Sequence, residues 1–464
     1  MAIDWEKEIA HRSDEMLNDL SELVSINSQR DVEHKTEEYP LGPGPAKALK
    51  TFLSFAKRDG FETKNVDNLA GRIEYGEGEA VGILAHVDVV PEGPGWETDP
   101  FKPVIKDGKL YARGASDDKG PGLGAYYALK VIKELNLPVS KKVQLILGTD
   151  EENDWTGINH YMKSETMPEV GFSPDAQFPA INGEKGIVSF DVQFPNPSDG
   201  LVKKFESGIV ANMVPQNADA VIDLNEIKSD ELKDLFEQFL TGHPEIKGSI
   251  DLTDDEATIH VIGKGAHAMQ PAVGINAATY LATFLTKLNL NDRQRPYFDF
   301  IAEDLHLDFA GKALGIANTH EVMGDLTLSP NIFKFDDDNA SILLNIRYPK
   351  GDDGQSLTDK INQNLPKRVS ATIKGHNQLP HFVPADDPLV QTLLGAYKDH
   401  TGDDSPAYTV GGGTYGRILK KGVAFGAMFP NDENVMHQPN EYIDLAKLQK
   451  ATAIFADAIY RLIK

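Results

Sequence analysis

The sequence predicts an α/β fold in which one strand-and-helix domain is interrupted by an α+β insertion. Two observations carry that expectation. Short β-branched apolar runs without alternation, AVGILAHVDVV at 80–90 and KVQLILG at 142–148, read as strands buried on both faces, with helical spacing between and after them. From about Gly186 the texture changes to runs of period two, as in half-exposed antiparallel strands: GIVSFDVQF, NADAVIDL, EATIHVIGKG, NASILLNIRY and RVSATIKG. The expected division is 1–184 for the first part of the main domain, 185–380 for the insertion and 381–464 for the second part.

Taken in order, residues 5–24 place Ile9, Met16, Leu17, Leu20 and Leu23 at helical spacing and predict one amphipathic helix. A second helix is expected over 45–58, and a third, opened by Gly and Pro, over 119–135. Inside the insertion, 229–240 and 275–288 read as helices. After Pro388 the chain returns to helix (LVQTLLGAYKDH), buried strand (GVAFGAMF) and a final helix over 445–463.

The composition excludes several function classes. With 46 basic and 71 acidic residues the formal net charge is −25, which repels nucleic acid and anionic membranes. The absence of cysteine removes disulfides, thiolate catalysis and thiolate metal sites, so a transition-metal site must be built from His and carboxylate. The N-terminus, MAIDWEKEIAHRSDEM, lacks the apolar core of a signal peptide, and no window approaches ~18 uninterrupted apolar residues. A cytoplasmic protein with no membrane partner is the expectation.

The chemistry-bearing residues gather at the ends of the buried runs. His86 and Asp88 close the 80–90 run; on a strand, residues i and i+2 share a face, and a carboxylate beside an imidazole suits a metal-ligating His. A structural His–Asp pair fits the same dipeptide. Asp117 and Asp118 precede the helix that starts at Lys119; one carboxylate can cap the helix while the other binds a cation. Gly120-Pro121-Gly122-Leu123-Gly124-Ala125 loosely matches a dinucleotide fingerprint, but the acidic pair before it suits a cation better than a pyrophosphate. Glu151 and Glu152 follow the run 142–148, where a solvated acidic turn is the ordinary reading and a metal ligand beside a proton acceptor is the functional one. Asp175 lies in a polar loop, and His437 follows the run GVAFGAMF. Carboxylates packed together repel unless a cation neutralises them, which is the physical case for a dinuclear centre.

These residues resemble peptidase family M20 in order, type and spacing: His86-x-Asp88, Gly114 to Gly120 (GASDDKG), Asp150-Glu151-Glu152, Asp175 and the late His437. The resemblance runs along nearly the whole chain. Within the family, the length, the large insertion and the segments Gly411 to Arg417 (GGGTYGR) and Asn434 to His437 (NVMH) resemble its bacterial dipeptidase branch. The resemblance implies a catalytic domain with a mixed central β-sheet flanked by helices, interrupted by a large α+β lid domain. It implies two Zn2+ ions per chain, with Mn2+ or Co2+ chemically acceptable. His86 and Asp175 would hold one ion, Glu152 and His437 the other, and Asp117 would bridge them, with a cis peptide to Asp118. Asp88 would orient His86, and Glu151 would be the general base on a metal-bridging water.

In the insertion, Asn212, His267 and Arg347 match lid motifs, and Gly413 would bring its backbone close to substrate. His267 would stabilise the oxyanion and Arg347 would pair with the substrate's terminal carboxylate. The implied reaction is hydrolysis of short peptides, dipeptides with a free N-terminus in particular, with β-alanyl dipeptides among the candidates. A doubled lid would supply His267 from the same chain, so a monomer is expected. Three competing readings remain: an N-acyl-amino-acid or succinyl-diaminopimelate deacylase of the same family, a metal-dependent phosphoesterase, and a metal-stabilised binding module. Little Lys or Arg near the motifs weighs against the phosphoesterase. Retention of both Glu151 and Glu152 weighs against the binding module, and the lack of a Gly-x-Ser-x-Gly elbow weighs against a serine hydrolase.

Overall fold

A computed structural model describes residues 3–197 and 200–464. The chain forms two compact units: one contains the described residues up to Gly183 together with Phe382–Thr409 and Gly413–Lys464, and the other contains Glu184–His381 and Val410–Gly412.

The first unit is built on a sheet of nine strands among the described residues. Their order is Glu62–Val66, Ala70–Tyr75, Lys142–Gly148, Ala80–His86, Val170–Ser173, Lys421–Ala424, Ile181–Glu184 and His381–Phe382, with Tyr408–Val410 also pairing with Ile181–Glu184. The sheet is mixed. Its centre is parallel, Ala80–His86 lying between Lys142–Gly148 and Val170–Ser173, and the pairs Glu62–Val66 with Ala70–Tyr75, Ala70–Tyr75 with Lys142–Gly148 and Lys421–Ala424 with Ile181–Glu184 are antiparallel. In the central pair His86 stands level with Gly148. The strands at 80–86 and 142–148 are buried almost throughout, as apolar runs without alternation require.

The helix Lys119–Glu134 is buried along most of its length. Its glycines are contact points: a Cβ on Gly122 would stand 3.0 Å from the Cβ of Ala85, and one on Gly124 would stand 2.8 Å from the hydroxyl of Thr452 in the final helix Leu445–Ile463. The Gly-x-Gly run therefore packs this helix against strand and helix.

Among the described residues, the second unit carries an eight-stranded, wholly antiparallel sheet ordered Lys247–Leu252, Glu256–Ile262, Asn217–Asp223, Val202–Ser207, Thr327–Phe335, Ala340–Tyr348, Gly186–Gln193 and Ser370–Gln378. Alternate residues of strands such as Gly186–Gln193 and Asn217–Asp223 point into a core of their own, shared with the helix Ala277–Leu285.

Two expectations need correction. The helix predicted over 5–24 is two helices, Trp5–Ala10 and Ser13–Val24. Between them Arg12 leaves helical geometry, and its guanidinium donates to the carbonyl of Glu8 at 2.6 Å and to Glu134 at 2.6 Å. The run GVAFGAMF is likewise two short strands, Lys421–Ala424 and Ala427–Met428, because Gly426 takes a left-handed conformation (φ 73°).

An ion-pair cluster ties together the helices Ser13–Val24, Pro43–Arg58 and Lys119–Glu134. Arg58 grips Asp19 with both terminal nitrogens at 2.8 Å, and Asp59 receives Arg58 Nε at 2.9 Å, Lys130 Nζ at 2.9 Å and the hydroxyl of Tyr126. Burial alone would raise the Asp59 carboxyl, but these three donors outweigh it and hold it at about 2. A carboxyl held below its unfolded value of about 3.9 stabilises the fold above that pH and loses the contribution as pH falls to its folded value. Asp59→Asn should therefore flatten the fall in melting temperature between about pH 4 and about pH 2 relative to the wild type. An unchanged acid limb would contradict the assignment.

Candidate metal centre

Three parallel strands deliver acidic or imidazole side chains at the same edge. His86 is the last residue of Ala80–His86, Glu151 and Glu152 follow Lys142–Gly148, and Asp175 follows Val170–Ser173. The carboxyl edge of such strands is where open α/β sheets place their sites. Asp117 comes from the turn before the helix Lys119–Glu134, and His437 comes from a loop in which it adopts φ 64°.

Asp117 is the pivot. Its Oδ1 lies 3.1 Å from His86 Nε2 and its Oδ2 lies 2.9 Å from His437 Nε2. His86 Nε2 also faces Asp175 Oδ2 at 3.6 Å, while His437 Nε2 faces Glu152 Oε1 at 3.0 Å. Thus one carboxylate shows a different oxygen to each of two imidazoles, each of which has a second carboxylate beside it. His86, Asp117 and Glu152 bring ligand atoms within 4.8 Å of one another, a compact potential cation site. The peptide between Asp117 and Asp118 is cis, as expected.

Asp88 acts differently from the strand-periodicity argument, because the strand ends at His86. Its carbonyl oxygen lies 3.1 Å from His86 Nδ1, with its carboxylate at 3.4 Å from the same nitrogen. The carboxylate also accepts the backbone N–H groups of Glu151 and Glu152, at 3.1 Å each. Asp88 therefore holds both the imidazole and the acidic pair. Asp118 does not cap its helix; its Oδ2 accepts the backbone N–H of His86 at 3.1 Å.

The protonation balance reflects this crowding. Burial, reinforced by the negative charges of Glu152, Asp175 and Asp88, pushes the Glu151 carboxyl well up. Burial and the neighbouring Asp117 push Glu152 up to about 7. Burial would lower the His437 imidazole, yet Glu152 and Asp117 outweigh it and raise it to about 11. His86 is raised in the same way by Asp117, Asp175 and Asp88. The carboxylates thus favour positive charge at both imidazoles. A donor set of imidazole and carboxylate without thiolate suits divalent Zn, Mn or Co.

The structure also shows buried groups to which the sequence reading gave no role in the site. Lys119 is fully buried, donates to the carbonyl of Ile26 at 2.8 Å, and is pulled down to about 7 by burial against the opposing pull of Glu441 and Asp88. Tyr415 sets its ring edge-on to His86 at 6.3 Å, and its buried hydroxyl has no hydrogen-bond partner among the described residues. It fits because residue 148 is glycine, whose Cβ would fall 2.4 Å from that hydroxyl. Glu441 and Arg113 are buried beside the Asp117 turn. The sequence carries little sign of them, since a lone Glu or Arg reads as a surface charge.

In the second unit, the strands Met213–Val214 and Ala266–His267 pair with Met213 opposite His267, and Ala268 N donates to Asn212 O at 2.8 Å, so Asn212 and His267 are neighbours. His267 Nδ1 accepts the backbone N–H of Met269 at 3.1 Å. Arg347 is buried on the strand Ala340–Tyr348; its Nε donates to Asn345 at 2.9 Å and its Nη1 to the carbonyl of Gly411 at 3.1 Å. Gly413 belongs to the first unit, and a Cβ there would fall 2.6 Å from the guanidinium of Arg417.

A His–carboxylate cluster at the carboxyl edge of a mixed α/β sheet is the arrangement of residues that a metal-dependent hydrolase needs. The profile of Peptidase family M20/M25/M40 matches residues 82–461. A Beta-Ala-Xaa dipeptidase of Lactobacillus delbrueckii subsp. lactis is 44% identical over 465 residues, covering 99% of this chain and 98% of its own. The human carnosine dipeptidase 1 structure aligns over 99% of this chain and 98% of its own with a TM-score of 0.57 at 15% identity. An M20 family metallo-carboxypeptidase from Sulfolobus solfataricus aligns over 96% and 98% with a TM-score of 0.56 at 17% identity. The chain belongs to Peptidase family M20/M25/M40 and is a peptidase.

Asp88→Ala strands the amides of Glu151 and Glu152 without their acceptor. It should lower stability in denaturant melts by on the order of 1–3 kcal/mol. Wild-type stability in this variant would contradict the anchoring role.

Proposed function

We propose that this peptidase is a dinuclear metallo-dipeptidase that cleaves dipeptides with a free amino terminus, β-alanyl dipeptides among them. The observation that carries this reading is Asp117, whose two oxygens face His86 and His437 separately. His86 with Asp175 would hold one cation, Glu152 with His437 the other, and Asp117 both; Zn2+ is the proposed metal, with Mn2+ or Co2+ as alternatives. When bound, the cations would polarise the scissile carbonyl and acidify the attacking water.

The protein's own groups do the rest. Glu151, anchored through its amide to Asp88, accepts a proton from the attacking water and returns it to the departing amine nitrogen. Asp88 keeps the His86 ring turned through Nδ1. For the second unit we propose that His267 donates to the developing oxyanion and that Arg347 recognises the substrate's terminal carboxylate, where a planar guanidinium can bind in bidentate fashion. Asn212 and the backbone at Gly413 complete the proposed substrate contacts. The 44% identical relative is named for β-alanyl dipeptides, which supports the substrate class. We assign the first and last parts of the chain, 1–184 and 381–464, as catalytic domain and 185–380 as lid.

The chain is proposed to act as a monomer in the cytoplasm. No helix among the described residues is long and apolar enough to cross a membrane.

Glu151→Ala should retain its cations by elemental analysis while kcat falls by about 10²–10⁴-fold, the usual contribution of a general base. Near-wild-type turnover would remove Glu151 from the role. A free dipeptide should be hydrolysed and its N-acylated counterpart not; preferred cleavage of the acylated substrate would favour the deacylase reading. Sedimentation velocity should give a single species near 50.9 kDa, whereas an obligate dimer would overturn the monomer.

A further inference from the structure

Glu441 and Arg113 take no part in the chemistry above, yet they form a buried charged pair immediately behind it. Glu441 is 0% exposed and Arg113 1%. A buried carboxylate is costly unless its oxygens are fully occupied, and here they are. Oε2 accepts Arg113 Nη1 at 2.8 Å and the amide of Gly114 at 3.0 Å. Oε1 accepts the amide of Ser116 at 2.8 Å, its hydroxyl at 3.1 Å and the amide of Asp117 at 3.2 Å. One side chain thus ties down the backbone of the whole turn that presents Asp117.

Arg113 extends the clamp. Its Nη2 donates to the carbonyls of Pro91 at 3.3 Å and Glu92 at 3.1 Å, and its Nη1 donates also to the carbonyl of Gln438 at 3.3 Å. Pro91 and Glu92 lie just beyond His86 and Asp88 in the chain, and Gln438 adjoins His437. The guanidinium stands 5.3 Å from the Trp96 ring, which covers it. Between His437 and Glu441 the backbone is left-handed twice, at His437 (φ 64°) and Asn440 (φ 60°), so the loop that carries His437 turns back to deliver Glu441 to the Asp117 turn.

We propose that the Glu441–Arg113 pair is a positioning device that fixes the Asp117 turn relative to the His86 and His437 segments before any cation arrives. It rests on the dinuclear reading above. Neither residue is among the proposed ligands; they act through the backbone of the segments that bear them. The pair replaces ordering that cation binding would otherwise have to provide, so its loss should appear in cation affinity before it appears in folding.

The test compares metal-stripped wild type with Glu441→Gln and Arg113→Lys. Calorimetric titration with Zn2+ should show affinity weakened by about tenfold or more in both variants, the range found when groups supporting metal ligands are removed. Glu441→Gln should regain much of its turnover at saturating Zn2+, because every ligand remains. Zn2+ affinity equal to wild type in both variants would overturn the positioning role alone. A wild type that takes up no Zn2+ would instead overturn the dinuclear reading. Should the variants fail to fold, hydrogen exchange in metal-stripped wild type decides. The amides of Gly114, Ser116 and Asp117 should already be protected, and exchange as fast as in an unstructured segment until Zn2+ is added would overturn the proposal.

Discussion

The constraint on which the structure turns is the mutual repulsion of carboxyl groups gathered at one edge of a sheet. Asp117, Glu151, Glu152 and Asp175 are drawn together around His86 and His437. Burial pushes the carboxyls of Glu151, Glu152 and Asp175 upward, reinforced by Asp117 for Glu152 and Asp175 and by Glu152 and Asp175 for Glu151. Asp117 alone is driven down, because burial, which would raise it, is outweighed by both imidazoles. Such a cluster is unfavourable unless positive charge is supplied. The two imidazoles lie where the carboxylates favour positive charge, and divalent cations would answer the same demand.

The fold makes this concentration of charge possible. Because the central strands run parallel, with His86 level with Gly148, the chain segments leaving them emerge side by side. Residues from positions 86, 151, 152 and 175 converge without any long loop having to be ordered. The remaining contributors arrive on irregular backbone that needs external support. Asp88 supplies it for Glu151 and Glu152, and Glu441 supplies it for Asp117. The scaffold around the site is thus made of side chain to backbone hydrogen bonds, whose acceptors are carboxylates buried for that purpose.

The sequence was most legible where a single physical rule dominated. The strand at 142–148 and the helix at 445–463 coincide with their predicted limits, since continuous apolar runs and helical spacing leave few alternatives. The edge hairpin Glu62–Val66 and Ala70–Tyr75 was missed because ETKNV is largely exposed and shows no apolar alternation; the Asp67-Asn68 turn, left-handed at both residues, was its one signal. The break at Arg12 escaped because it depends on Glu134, more than a hundred residues away. The chemistry-bearing residues were visible as clusters ending apolar runs. Glu441 and Arg113 were not, because their value lies in partners distant in the chain, and no local pattern distinguishes a buried carboxylate that holds amides from one in solvent.

The most direct test is a cation count joined to turnover. The purified protein should carry two divalent cations per chain, lose dipeptide hydrolysis when a chelator strips them, and recover it when two equivalents are returned. Full hydrolysis by protein shown to be free of bound metal would contradict the account.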